Sequence, residues 1–102
     1  MDKIVNEKIT RYAQNVKKRF HTKAVYLYGS YAKGTAREDS DIDIAVIFDH
    51  LDRSAYMSVF GNLFVLAADV DARIEPNLIL DNGDIDKYSM LYEVQHTGIE
   101  IL

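Results

Sequence analysis

Residues 24–48 read Ala24-Val25-Tyr26-Leu27-Tyr28-Gly29-Ser30-Tyr31-Ala32-Lys33-Gly34-Thr35-Ala36-Arg37-Glu38-Asp39-Ser40-Asp41-Ile42-Asp43-Ile44-Ala45-Val46-Ile47-Phe48. Two apolar runs bracket a polar one. The first, residues 24–28, is short, β-branched and aromatic, and Gly29 ends it, as expected of a buried strand. The second, residues 42–48, alternates poorly and is apolar almost throughout, which predicts a central strand covered on both faces. Residues 29–41 are rich in Gly, Ser and charge and read as a loop. The chain therefore builds a sheet with a polar loop at one end.

Before this stretch, Val5, Ile9, Tyr12, Val16 and Phe20 recur at helical spacing with charged residues between them, predicting an amphipathic helix from about 2 to 20. Beyond it, residues 49–53 turn the chain. Ser54 is the expected N-cap of a second helix that carries Val59, Leu63, Leu66 and Ala67 inward to about residue 68. After a turn at 69–71, residues 73–80 form a third strand, which Pro76 assigns to an edge or a bulge because proline cannot donate to a ladder. Residues 81–84 turn again, a last helix covers about 85–97 and stops at Gly98, and residues 99–102 can add a short strand. This order predicts an α/β (α+β) chain with a small mixed β-sheet packed on helices. Residues 1–102 read as a single domain, without internal repeats or low-complexity tracts.

Composition narrows the function. With 102 residues, there is room for one core and no second lobe. A net charge of -4 argues against a dedicated duplex-binding module, which would cluster Lys and Arg against phosphates. The basic cluster Lys17-Lys18-Arg19 reads as a solvated helix end. The absence of cysteine removes thiolate metal sites and thiol nucleophiles and fits a reducing compartment. No apolar run reaches the roughly 20 residues that span a bilayer, and residues 1–8 lack a signal peptide's apolar stretch, so a cytoplasmic location and no membrane partner are expected.

The chemistry concentrates between Gly29 and Asp43. Asp41 and Asp43 stand at i and i+2 at the start of a strand, so they share a face with backbones roughly 6.6 Å apart. Carboxylates closing to about 5 Å at an effective dielectric near 20 repel by roughly 3 kcal/mol, which calls for a counter-ion. Magnesium suits the pair, because it takes oxygen ligands and combines one or two carboxylates with substrate phosphates. Gly29 lets backbone approach a ligand, and the amide and hydroxyl of Ser30 can donate to phosphate oxygens. A short helix starting near Tyr31 would add its N-terminal amides. Lys33 and Arg37 offer neutralising charge, and Ser40, directly before Asp41, completes the nucleotide-binding candidates.

Other readings of the same residues fare worse. Gly29-x4-Gly34 resembles half a P-loop, but Thr35-Ala36 stands where Lys-Ser/Thr is required. Asp39, Asp41 and Asp43 mimic the opening of an EF-hand loop, yet Ile44 and His50 occupy its Gly and bidentate Glu positions. His21, His50 and His96 show no metal-ligand spacing. Tyr26, Tyr28, Tyr88 and Tyr92 read as core or interface aromatics, and Met57 and Met90 as packing residues.

Gly29-Ser30, ten intervening residues and Asp41-Ile42-Asp43 together resemble the G-S-x10-D-x-D signature of the DNA polymerase beta-type nucleotidyltransferase superfamily. The short length and the run from Arg37 to Val46 are similar to its minimal nucleotidyltransferases. The resemblance implies a third carboxylate on a neighbouring strand, for which Asp71 and Glu75 are the candidates. Glu75 is favoured, since a carboxylate within an apolar strand is costly unless it meets a metal. It implies magnesium held by Asp41, Asp43 and Glu75, ATP or another nucleoside triphosphate as substrate, and nucleotidyl transfer to a hydroxyl. It also implies a helical HEPN-domain toxin as partner, with the chain acting as antitoxin by moving AMP onto a partner tyrosine. A second reading is a catalytically silent antitoxin or assembly subunit that neutralises its partner by contact. A third, transfer to a small molecule such as an aminoglycoside, resembles larger relatives with a second substrate-binding domain.

Overall fold

The structure, a computed structural model, describes residues 2–81 and 89–102. Helix α1 (Lys3–Arg19) is capped by the Asp2 carboxylate, which accepts from the Ile4 N–H at 2.8 Å. Strand β1 (Ala24–Tyr28) runs directly into the five-residue helix α2 (Gly29–Lys33), which Gly34 ends in a left-handed conformation. Strand β2 (Ile42–Phe48), helix α3 (Tyr56–Ala68), strand β3 (Ile74–Leu80), helix α4 (Met90–Thr97) and strand β4 (Ile99–Glu100) follow.

The four strands form one mixed sheet in the order β3-β2-β1-β4. β1 is antiparallel to β2 and β4, whereas β2 and β3 are parallel and joined through α3. Parallel neighbours need such a crossover. β3 lies at the sheet edge, where Pro76 costs no central ladder bond. β2 is central and its residues 44–48 are all buried, in line with its apolar sequence.

Alternation along the strands divides the core. Val25, Leu27, Ile42, Ile44, Val46, Ile74 and Leu78 pack with α1 and α3 in the larger cluster. Ala24, Ala45 and Ile47 point to the opposite face, where α4 contributes Leu91 and Val94. Tyr12 is fully buried and its hydroxyl donates to the Leu63 carbonyl at 2.9 Å, tying α1 to α3.

Several expected boundaries shift, each for a local reason. Ser54 is not an N-cap. The Ala55 N–H bonds the Asp52 carbonyl at 2.9 Å, and residues 53–55 wind as a 3-10 turn straight into α3. The third strand starts at Ile74 rather than 73, because the Asp71 carboxylate takes the Arg73 N–H at 2.8 Å and holds it in the preceding turn. Ser89 is extended and caps α4 by accepting from the Tyr92 N–H, so that helix begins at Met90. Of the turn expected at 81–84 and the helix expected from 85, residues 82–88 lie outside the described residues. The last strand is two residues long instead of four, although the Ile101 N–H still bonds the Val25 carbonyl at 2.8 Å.

Candidate active site

The polar loop ends where three strands come side by side. Tyr28 of β1 pairs in register with Asp43 of β2, and Asp43 with Glu75 of β3, so one row across the sheet reads Tyr28, Asp43, Glu75. Asp41 precedes Asp43 by two residues and shares its face, which is the α4 side of the sheet. Adjacent strands lie about 4.8 Å apart, so carboxylates in one row are near neighbours.

Their titration reports the crowding. Burial first, then the negative charge of Asp41, raises the Asp43 pKa above the ordinary carboxylate value. A hydrogen bond with Asp41 and the charge of Asp41 raise Glu75, with smaller contributions from desolvation and Asp43. Asp43 and Glu75 are thus held where their ionisation is opposed by a neighbouring carboxylate. Among the described residues no three acidic or imidazole side chains close into a ready-made metal cage. An all-oxygen set of mutually repelling carboxylates nevertheless fits a hard cation that draws its remaining ligands from phosphate and water.

The phosphate-side candidates are placed by backbone geometry. Gly29 has φ +71, and a Cβ built there would fall inside the van der Waals shell of the Asp43 Oδ2. Glycine is therefore required twice at this position, for its left-handed backbone and for the carboxylate packed against it. The Ser30 carbonyl accepts from the Thr35 N–H at 2.9 Å, while its hydroxyl makes no hydrogen bond among the described residues. Ser40 serves the loop itself: its hydroxyl accepts from the Arg37 N–H at 2.8 Å and its own N–H bonds the Arg37 carbonyl at 3.0 Å.

Lys33 and Arg37 are exposed, and neither forms an ion pair among the described residues. Arg37 lines a depression with Asp2, Val5, Tyr31 and Arg73 that contains none of the three carboxylates. The structure does not bring Arg37 together with them.

Asp71 is engaged elsewhere. It bonds Arg73 through Nε at 3.1 Å and Nη2 at 2.9 Å, and Lys8 Nζ at 2.9 Å. These contacts, led by the Arg73 hydrogen bond, hold its carboxyl well below the ordinary range. Arg73 also donates to the Glu38 carbonyl at 2.8 Å and the Tyr31 hydroxyl at 3.3 Å, stapling the 29–41 loop to the start of β3.

Sequence reasoning missed Arg73 in this role, and it missed Asn77. Asn77, two residues beyond Glu75 on the same face, hydrogen-bonds the Tyr28 hydroxyl. Burial and the charges of Asp43 and Glu75 push the Tyr28 pKa up to about 12, so Tyr28 faces the carboxylates as a protonated phenol instead of being simple core packing. The available signal was the shared parity of Glu75 and Asn77 along β3.

The site is thus a glycine turn packed against a strand-borne carboxylate row at one end of a mixed sheet. Residues 7–102 match the family model described as "Polymerase beta, Nucleotidyltransferase", and the chain belongs to that family. Over 43 residues it is 37% identical to a protein of Thermococcus cleftensis named Protein adenylyltransferase MntA, covering 42% of this chain and 43% of that one. The matches span about half or less of the curated relatives' own length. A nucleotidyltransferase crystal structure from Sulfolobus solfataricus superposes with a TM-score of 0.60 at 18% identity, covering 93% of this chain and 77% of that one, a likeness of fold. A toxin-antitoxin crystal structure with AMP-PNP superposes with a TM-score of 0.57 at 26% identity, over 91% and 72% of the two chains. Among the described residues no helix is long and apolar enough to cross a membrane.

Proposed function

We propose that this chain is a magnesium-dependent nucleotidyltransferase that moves AMP from ATP onto a hydroxyl of a protein partner, as the antitoxin of a cytoplasmic toxin–antitoxin pair. The observation that carries the reading is the Asp43–Glu75 row with Asp41 beside it, packed against the Gly29 turn. The adenylyltransferase name of a relative and the toxin-antitoxin neighbour solved with AMP-PNP support the donor and the kind of partner. The partner expected from the family resemblance is a HEPN-domain toxin, with a tyrosine as acceptor.

Asp41, Asp43 and Glu75 are the residues that would hold the metal, which when bound would neutralise the triphosphate and orient its α-phosphate. The Ser30 hydroxyl and the amides of α2 grip the outer phosphates, with Lys33 adding positive potential and Ser40 bracing the loop, while Arg37 stands apart from the carboxylates. Glu75 accepts the proton of the acceptor hydroxyl as its oxygen forms a bond to the α-phosphorus. The bond from that phosphorus to the pyrophosphate bridging oxygen breaks, and pyrophosphate departs. Positioning and charge neutralisation supply most of the catalysis. Asp71 stays outside this chemistry, since its charge is already met by Arg73 and Lys8.

The test is incubation of the chain with ATP labelled at its α-phosphate, magnesium and the protein it binds in its source cells. Label should move to that partner, and Asp41→Asn and Asp43→Asn should abolish the transfer. Partner binding with no transfer by wild type would favour neutralisation by contact.

A further inference from the structure

Tyr28 and Asn77 form a polar pair that the chemistry above leaves unused. Tyr28 ends β1 in register with Asp43, while Asn77 lies on β3 opposite Ala45, one row further into the sheet. The phenol therefore crosses β2 diagonally, over the small side chain of Ala45, and accepts a hydrogen bond from the Asn77 side-chain amide. Its ring packs on the apolar cluster of Ala24, Ala45, Ile47, Leu91 and Val94 between the sheet and α4. Ring and oxygen are both fixed, and the hydroxyl stands on the inner flank of the carboxylate row.

Packing alone does not call for this pair. A phenylalanine would fill the same place, and a part-buried amide and phenol are costly to desolvate unless their hydrogen bonds are used. A phenol has one proton to donate and lone pairs with which to accept. The Asn77 amide takes the accepting side, and among the described residues the proton meets no acceptor. Of the negative charges that act on Tyr28, Asp43 is the strongest, ahead of Glu75 and Glu93. Asp43 is also half-buried, whereas Asp41 and Glu75 are exposed, so it is the carboxylate that an inner group can reach. Its two oxygens can serve a cation on one side and a donor on the other.

We propose that Tyr28, held by Asn77, is a positioning residue for Asp43. With a cation on the outer side of that carboxylate, the phenol donates its proton to the inner side and fixes Asp43 for ligation. This rests on the metal–nucleotide reading of the site. The pair touches neither nucleotide nor acceptor and acts only through Asp43. Ligating carboxylates commonly take such a hydrogen bond, and losing it weakens metal binding about 10- to 100-fold.

The test titrates magnesium into the intact chain with a non-hydrolysable ATP analogue and follows binding by calorimetry. Tyr28→Phe keeps the ring. It should raise the magnesium concentration for half-maximal binding about tenfold and leave magnesium-free binding of the analogue within about twofold of wild type. Asn77→Leu should do the same, and the double variant should be no worse than either single one, because the two residues act as a unit. Tyr26→Phe is the control. Tyr26 shares the strand face but its hydroxyl meets Glu100, so its loss should leave the magnesium dependence unchanged. In transfer assays excess magnesium should restore Tyr28→Phe towards wild type.

Wild-type magnesium dependence in Tyr28→Phe would overturn the proposal and leave the nucleotidyl-transfer reading standing. A lowered melting temperature with unchanged magnesium dependence would do the same, by making the pair structural. Effects of Tyr28→Phe and Asn77→Leu that add up in the double variant would also overturn it. A wild type whose analogue binding ignores magnesium would remove the reading itself, and the proposal with it.

Discussion

Asp71 and Glu75 stand four residues apart, flank the start of the same strand and meet opposite fates. Asp71 is surrounded by cations, accepting from Arg73 and Lys8, and its carboxyl is held well below the ordinary range. Glu75 is surrounded by carboxylates, and Asp41 and Asp43 raise its pKa. The first is a finished structural contact that locks the 29–41 loop to β3. The second has no ion pair among the described residues. Charge satisfaction, rather than the presence of an acidic side chain, separates the scaffold from the site.

The sharpest way to break this contrast is to neutralise one carboxylate in each cluster. Asp43→Asn should lower nucleotidyl transfer by at least about a hundredfold while leaving the melting temperature unchanged or higher, because a repulsion is removed. Transfer from labelled ATP and a thermal melt read the two effects. Gly29→Ala should damage both properties. It forces a left-handed backbone costing about 1–2 kcal/mol and pushes the Asp43 carboxylate aside, so denaturant unfolding and transfer should both record a loss.

Asp71→Asn should show the converse of Asp43→Asn. Weakening charged hydrogen bonds to Arg73 and Lys8 should cost about 1–3 kcal/mol of stability, while transfer by the folded fraction stays within severalfold of wild type. Chemical denaturation measured alongside activity checks this.

The smallest effect is the pH dependence of the metal-free chain, where the clusters pull in opposite directions. Asp71, with its pKa lowered on folding, contributes stability above the ordinary carboxylate range and loses it as the pH falls below that range. Asp43 and Glu75, with raised pKa values, bind more protons folded than unfolded in the window just above the ordinary range. Their contribution therefore grows as the pH falls through that window and is lost as it rises. Asp43→Asn should flatten the upper limb and Asp71→Asn the lower, in melts followed against pH.

The strands were legible because burial on two faces leaves an apolar run that no loop would carry, and residues 24–28 and 42–48 fold as read. Pro76 correctly marked β3 as an edge. The parity of Asp41 and Asp43 gave their common face, and the family signature brought Gly29 and Ser30 into the same frame. What escaped depended on partners distant in sequence. Position 73 read only as the start of the third strand, but the Arg73 guanidinium turns back to Asp71 and across to Glu38. Asn77 acquires meaning only through Tyr28, two strands away. Ser54 lost its capping role to a backbone bond from Ala55, which side-chain preference alone does not foresee.

The central claim is that Asp41, Asp43 and Glu75 bind a metal–nucleotide complex. The most direct measurement is calorimetric binding of a non-hydrolysable ATP analogue with and without magnesium, by wild type, Asp41→Asn and Asp43→Asn. Wild type should bind at least about tenfold more tightly with magnesium, and both variants should lose that dependence. Equal magnesium dependence in all three proteins would contradict the account.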